Sequence, residues 1–584
     1  MLFGAAIAAA SLYVIGLFWL AARRDALGDS DTPAARWFAR HSGTIYGLSL
    51  AVYCTSWTFY GGVGTAAASG LDYLPIYLGP IFVFTVGFSL VRRVLAQSKA
   101  QHSTSIADFL SARYGKSASV AALVTIIASV GSLPYMALQL QSVGTSLMVL
   151  NPQLGDALGA EELVLMVAGL MALFAILFGS RRADLAGSNH GLVLTIAIEA
   201  VVKLVALLAV AALALVLLPG GATQGAPAAG DPVFTAAQID ARFATLTLIA
   251  ACAALCLPRQ FHMSFVEAGG ERASPAMQWV FPAYLAATAL VIVPIVLAGL
   301  ATLPAGTNPD SIVLALPLAQ GHDALAVLVF IGGFSASAGM IVVASVALSI
   351  MITNDLIAPL VFRRTLKSGH DNFAGHERAL LAARLLMVRR LVIAGLLFFA
   401  YLFYLGFGQL GSLAGLGTLA FAAAAQFAPG LVLGMASEHG NKCGMLSGLA
   451  IGALAWLALL VVPAATGTAP LVLIHEDTLV SGVFLSLAAN CAAYWIGSAL
   501  WRPSLVDAAQ AAAFVGTPSP GVRPGLVTAK RVADVRILLA QFVGAQRAAA
   551  AIAALPGERR DNAPADAPLV EMAERMIAGT IGTS

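Results

Sequence analysis

Charge is what this sequence has least of. Only 10% of its 584 residues are Asp, Glu, Lys or Arg, against about 25% in ordinary soluble proteins. So sparse a charged complement excludes a soluble enzyme, a disordered chain and a nucleic-acid binder. Cysteine is scarce too. Cys54, Cys252, Cys256, Cys443 and Cys491 lie inside or beside apolar stretches, with no metal-ligand spacing and no disulfide framework. The sequence also lacks a phosphate-binding loop and a nucleophile–base pair, so no enzymatic activity, metal or cofactor is expected.

What is abundant is hydrocarbon. Apolar residues make up 59% of the chain, and the mean hydropathy is +0.87. A formal charge of +3 is too small to name a partner. A spanning helix needs roughly 20 mainly apolar residues. Thirteen stretches qualify, near residues 1–22, 42–65, 71–95, 117–149, 161–180, 190–219, 245–264, 276–303, 325–361, 390–408, 412–436, 444–464 and 479–501. The expectation is an all-α membrane protein with 13 transmembrane helices in a lipid bilayer. The first stretch differs from a cleaved signal peptide, because Arg23 and Arg24 follow it rather than precede it.

The basic residues orient these stretches. With the N-terminus outside, all but two of the 32 Lys and Arg residues fall at the inner face. The inner loops hold Arg92–Arg93, Arg181–Arg182, Arg363–Arg364 and Arg389–Arg390. The exceptions are Arg242, in an outer loop, and Lys203, in mid-membrane. Residues 502–584 then lie inside as a polar tail. Its apolar-periodic stretches, near 504–515, 526–553 and 566–578, are separated by Pro- and Gly-rich breaks at 517–524 and 556–564. Val532, Val535, Leu539 and Phe542 share one helical face, so a small cytoplasmic helical bundle is expected.

Two stretches interrupt themselves. The second, Ala51 to Gly64, turns polar and glycine-rich at mid-depth, and the seventh, Ala250 to His262, holds Pro258 within its apolar run. Lipid tolerates irregular backbone only where it is buried in protein or lines a cavity. The seventh comes five spans after the second, an odd number, so the two cross in opposite directions. Interrupted helices at matching positions of inverted halves point to a transporter's binding site.

Several segments resemble the sodium:solute symporter family, the relatives of proline permease. They are the second stretch with its Ser69-Gly70 exit, Ser105 to Gly115, Leu257-Pro-Arg-Gln-Phe-His262, Ser335 to Asp355, and Gln426-Phe-Ala-Pro-Gly430 followed by Gly444. The resemblance implies an inverted five-plus-five (LeuT-like) helix core, with repeats about 42–219 and 245–437 inside a transmembrane domain 1–501. In the tail 502–584, Asp507 to Phe514 and Ala573 to Gly582 are similar to a small module joining such transporters to two-component signalling. In CbrA-like sensor histidine kinases that module precedes sensory and kinase domains. The resemblance therefore implies a bacterial inner membrane, a periplasmic N-terminus, a cytoplasmic C-terminus and a histidine kinase partner, within a longer chain or as a separate protein.

Within the Ser105 motif, Ser105 is placed to cap a helix, with Asp108 in its first turn and Arg113 anchoring it. This is expected to be architecture rather than a binding site.

The sequence departs from the sodium pattern. Gly339 and Met340 fall in the slots where the family places hydroxyls, although a shifted alignment brings Ser335 or Ser337 close. Tyr53 stands where proline permease has an acidic residue. Meanwhile Glu199 and Lys203, four residues apart, share a helix face. Lys203 lies about 20 Å from the inner edge, too deep in a ~30 Å core for easy snorkelling. A charge there costs about 2.5–3.5 kcal/mol on insertion scales. Two expectations stand: a structural ion pair with Glu199, or an ammonium occupying the vacated sodium slot and coupling transport to H⁺. The coupling candidates are Lys203, Glu199, Ser335 and Ser337, with H⁺ favoured over Na⁺.

By the same resemblance, substrate lies among Thr55, Ser56, Trp57 and Tyr60 of the first core helix and Tyr135 and Gln139 of the third. Freed N–H groups suit a carboxylate, while hydroxyls and Gln139 suit an amino group. Packing is the plainer account of a lone aromatic, but the place of Trp57 and Tyr60 beside the break sets binding level with it. Ala250 and Ala254, in place of the family's aromatics, suggest room for an amino acid larger than proline, such as L-histidine. His262 is expected to be structural. The expected function is a symporter-like secondary transporter importing a small amino acid. The alternative is a non-transporting receptor that reports solute to a histidine kinase.

Overall fold

The computed structural model describes residues 2–27, 32–179, 190–221, 233–269, 274–359, 375–407, 413–470, 472–516 and 531–555, with residues 561, 563, 565, 568–569, 572–573 and 576 beyond them. Arg181, Arg182, Arg363, Arg364, the break at 517–524 and most of the Ala573–Gly582 motif lie outside these residues.

The protein is a multi-pass helical membrane protein. Ten described helices are long and apolar enough to cross a membrane, and twelve spans result if two bent pairs are counted. The expectation of thirteen differs because it takes 42–65 and 71–95 as two continuous spans. That region is divided into short pieces, the longest being Pro33–Ser49 at 17 residues. The extended Cys54 stops one helix, and a 60° bend at Leu74 separates Trp57–Tyr73 from Pro75–Thr85. Pro75 supplies the reason for that bend, since proline suits the first position of a helix and disfavours helix before it.

Three helices form the buried centre: Ala118–Leu150, Asp323–Met351 and Leu413–Ala425. Leu2–Leu27, Ala160–Gly179 and Gly375–Phe407 lie at the periphery and leave Leu12, Ile15, Leu170, Leu391 and Phe398 exposed. Exposed leucines on a spanning helix face hydrocarbon, so they are at no disadvantage there. Lys442–Trp456 and Thr478–Leu500 pack tightly because glycines line their seam. A Cβ on Gly448 would lie 2.9 Å from Asn490 Oδ1, and one on Gly497 would lie 2.9 Å from the Gly444 Cα. Small residues allow this backbone approach in membranes.

One face of the protein carries a clamp built from the Ser105 motif. Ser105 caps Ile106–Arg113, its Oγ accepting from the Asp108 N–H at 3.1 Å. Arg113 is buried and donates to the carbonyls of Gly434 (2.6 Å), Ser437 (2.8 Å) and Gly440 (3.4 Å). The Tyr114 hydroxyl donates to the Gly430 carbonyl at 2.7 Å. Three carbonyls at a helix end and its following turn are thus satisfied by one guanidinium, whose planar donors suit the task.

The tail divides into two parts. Leu505–Val515, capped by Ser504, packs onto the membrane domain. Gln97 Nε2 donates to the Ala513 carbonyl at 3.0 Å, Asp507 Oδ2 accepts from the Lys442 N–H at 2.9 Å, and the Phe514 and Phe109 rings lie 5.4 Å apart. The other part has its own small core of Val532, Val535, Leu539, Ala548, Ile552, Leu569 and Ala573. Within the apolar-periodic stretch 526–553 lie two helices, Val532–Val543 and Ala545–Ala553, parted at Gly544 with φ +96°. Glycine takes that conformation without the Cβ penalty other residues meet.

Candidate substrate and coupling site

Both interruptions meet at the centre. In the first, Leu50–Tyr53 tightens to a 3₁₀ turn, Cys54 is extended (ψ 105°), and helix resumes through a π-helical turn, Trp57–Gly61. No proline or glycine forces this break. Thr55 and Ser56 offer the backbone alternative partners, as short hydroxyl side chains do. The Trp57 N–H donates to Thr55 Oγ1 (3.3 Å), and the Ser56 N–H donates to Gln139 Oε1 (3.3 Å). In the second interruption Leu257 is extended (ψ 130°), Pro258 opens the next turn, and the axis bends by 50°.

Five of the six expected substrate residues form one cluster. Ser56 Oγ donates to Gln139 Oε1 at 2.7 Å, and Thr55 Oγ1 lies 2.8 Å from the Tyr135 hydroxyl. The Tyr135 ring stacks on Phe421 at 5.7 Å, and Trp57 meets Phe421 edge-on at 4.8 Å. Tyr60 turns away and packs against the bare backbone of Gly333. There it borders a small cavity of about 30 Å³ with Ser142, Ser146 and Asp310, enough to hold water. The site is closed: Thr55, Ser56, Trp57, Tyr135 and Gln139 are all buried.

The space expected beside Ala250 is filled. A Cβ on Gly79 would lie 2.7 Å from the Ala250 Cβ, so the helix Pro75–Thr85 approaches closely there. The two small residues serve helix contact rather than widening a pocket.

Lys203 reaches out of His190–Gly221 to the first break. Its Nζ donates to the carbonyls of Cys54 (2.7 Å) and Ala51 (3.2 Å). These carbonyls are one turn apart at the end of the stopped helix; that of Ala51 also accepts from the Cys54 N–H at 3.0 Å, so the ammonium is a second donor to it. Among the described residues no ion pair within 4.0 Å joins Lys203 to Glu199. The Glu199 carboxylate instead packs against Gly339. Ser335 Oγ lies 2.8 Å from the Tyr13 hydroxyl, and Ser337 Oγ donates to the Gly333 carbonyl at 3.2 Å. The four coupling candidates therefore do not converge on one point. His262 is buried, its Nε2 3.1 Å from Glu267 Oε1.

The residue that sequence reasoning missed is Arg259. Counted among the inner-face basics, it lies 2% exposed beside the second break, its guanidinium carbon 4.2 Å from the centre of the Tyr135 ring. Its place one residue after Pro258 was the available signal, since a charge at a helix interruption in a membrane is costly and seldom incidental.

No family model matches the chain, and no curated protein matches it in sequence. Among solved structures, one above all is similar to it in fold, and two others match more loosely. A Na⁺-coupled sialic acid symporter in a substrate-bound outward-open state superimposes with a TM-score of 0.57 at 15% identity, over 86% of this chain and 98% of that one. A nucleobase-cation-symport-1 family transporter, closed with bromovinylhydantoin bound, gives a TM-score of 0.45 at 14% identity, covering 80% of this chain and 95% of that one. A manganese transporter from Eremococcus coleocola gives 0.39 at 12% identity, covering 94% and 96%. The chain is thus similar to a secondary transporter in fold.

Proposed function

We propose that this chain is a symporter-like secondary transporter that carries a small amino acid inward across a bacterial inner membrane and is driven by H⁺. One observation carries the coupling: the Lys203 ammonium donates to the Ala51 and Cys54 carbonyls at the first helix break. Carbonyls freed by an unwound helix coordinate coupling cations in transporters of this kind. A lysine there supplies a positive charge that a proton can add or remove, which a bound Na⁺ cannot. The hydroxyls of Ser335 and Ser337 are engaged elsewhere, which also favours H⁺ over Na⁺.

Substrate in this proposal binds among Thr55, Ser56, Trp57, Tyr135 and Gln139, with Tyr60 on the far side of the break. L-Histidine is the first solute to try. The inverted repeat, the periplasmic N-terminus and the cytoplasmic C-terminus belong to the same proposal. Uptake of radiolabelled L-histidine into proteoliposomes under separate pH and Na⁺ gradients tests it. The pH gradient alone should drive uptake, and Lys203→Met should abolish that dependence. Sodium-driven uptake, or coupling unchanged by the substitution, would overturn H⁺ coupling.

A second reading has its own observation. Leu505–Val515 is hydrogen-bonded to Gln97 and meets Phe109 edge-on through Phe514, so the tail is fastened to elements that a transport cycle would move. This favours a receptor, alone or combined with transport, that informs a histidine kinase. Saturable histidine binding without uptake would leave the receptor ahead.

A further inference from the structure

Arg259 is a cation 2% exposed at the second helix break, with no described carboxylate to balance it. Its Nε and Nη2 are buried and have no hydrogen-bond partner among the described residues, and no described carboxylate lies within 4.0 Å of it. These two nitrogens form one edge of the guanidinium, with parallel N–H bonds. That edge fits the two oxygens of a carboxylate in a bidentate pair. The position is built rather than accidental. Pro258 fixes the turn that carries Arg259, the Tyr135 ring supports the guanidinium at 4.2 Å, and the Tyr135 hydroxyl in turn meets Thr55. Support by an aromatic ring steadies a cation, but it leaves the N–H edge unanswered.

A buried guanidinium with an unpaired edge is costly, and an interior anion relieves the cost. The freed N–H groups at the first break cannot do this work, because Gln139 and Thr55 already accept from them. We infer that Arg259 is the carboxylate receptor of the site, so that the solute is an organic anion or zwitterion whose carboxylate pairs side-on with Nε and Nη2. This inference rests on the proposed transporter reading of the same site and adds the substrate class and the residue that selects it. A solute lacking the carboxylate leaves the guanidinium unpaired and is rejected for that reason.

Thermal unfolding of the full chain in lipid nanodiscs, at constant ionic strength, tests this without requiring transport. The probes are acetate, L-proline and L-histidine, with acetamide and histamine as partners lacking a carboxylate. Acetate should raise the melting temperature above the chloride control, and acetamide should not. Arg259→Lys, which keeps the charge but loses the fork, should bind acetate roughly tenfold more weakly. Arg259→Gln should lose the response. If Arg259→Gln does not fold, the acetate–acetamide contrast in the wild type still decides. Equal responses to the two, no response to acetate, or full retention in Arg259→Gln would each overturn the assignment. Carboxylate-specific stabilisation with no uptake of any probe would sink the transport proposal and leave this site standing.

Discussion

The Glu199 carboxylate rests against the Cα of Gly339, in the place a Cβ would occupy. Both residues are in the buried region between His190–Gly221 and Asp323–Met351. Gly339→Ala should therefore push Glu199 aside and strain the packing between these helices. Overpacking of this kind costs about 1–3 kcal/mol. A melting temperature equal to that of the wild type in nanodiscs would show that the carboxylate has room to move.

Gln139 completes the first break by accepting from both the amide and the hydroxyl of Ser56. Gln139→Leu leaves a buried N–H unpaired, a loss of about 1–3 kcal/mol. Ser56→Ala removes the hydroxyl donor but keeps the amide paired to Gln139, and should melt closer to the wild type. The order of the two melting temperatures is the test, and a reversed order would mean that Ser56 finds another acceptor.

Arg242 bridges two acids at the opposite end of the protein from Arg113, meeting Asp477 at 2.6 Å and Asp72 at 3.3 Å. Burial alone would raise the Asp477 carboxyl, but the hydrogen bond and charge of Arg242 outweigh it and hold its pKa below the ordinary value. A depressed folded-state pKa adds stability above the unfolded value, about 3.9, and that contribution fades as pH falls through the folded pKa. The Arg242 side chain is 43% exposed, so the effect is small, about 0.2–1 kcal/mol. Asp477→Asn should lower the melting temperature near pH 7 and bring it level with the wild type below about pH 4. A deficit that persists in acid would assign the role to the N-cap of Thr478–Leu500 instead.

Phe514 is fully buried against Phe109, while Gln97 holds the carbonyls at the end of the same helix. Phe514→Ala should free Leu505–Val515 at a cost of about 3–5 kcal/mol to docking. Amide hydrogen exchange over 505–515 should quicken, while exchange in Ala118–Leu150 stays slow. Unchanged exchange would mean that the Asp507 and Gln97 contacts suffice.

The helical class and the two interruptions were legible because membrane helices must satisfy their backbone internally. A proline at 258 and the hydroxyls at 55 and 56 are visible departures from that demand. The Ser105 cap was legible for the same reason: it is local. Arg259 was not, because hydropathy reckons depth by distance along the chain, whereas its partner Tyr135 comes from another helix. Ala250 misled in the opposite way. A small side chain reads as empty space until the glycine of a neighbouring helix is known to fill it. The docking of 505–515 escaped notice because periodicity reveals an apolar face and says nothing of what will cover it.

The fastening at Gln97 has a mechanical corollary. The tail helix is tied to the membrane domain near both of its ends, at Asp507 and at Ala513–Phe514, so it acts as a crank rather than a tether. A small rotation of Phe88–Ala100 about its own axis would be carried into Leu505–Val515 as a change of direction. Displacement then grows in proportion to radius. The far end of the helix at Val515 is then swept through a wider arc than the movement of Phe88–Ala100 that began it.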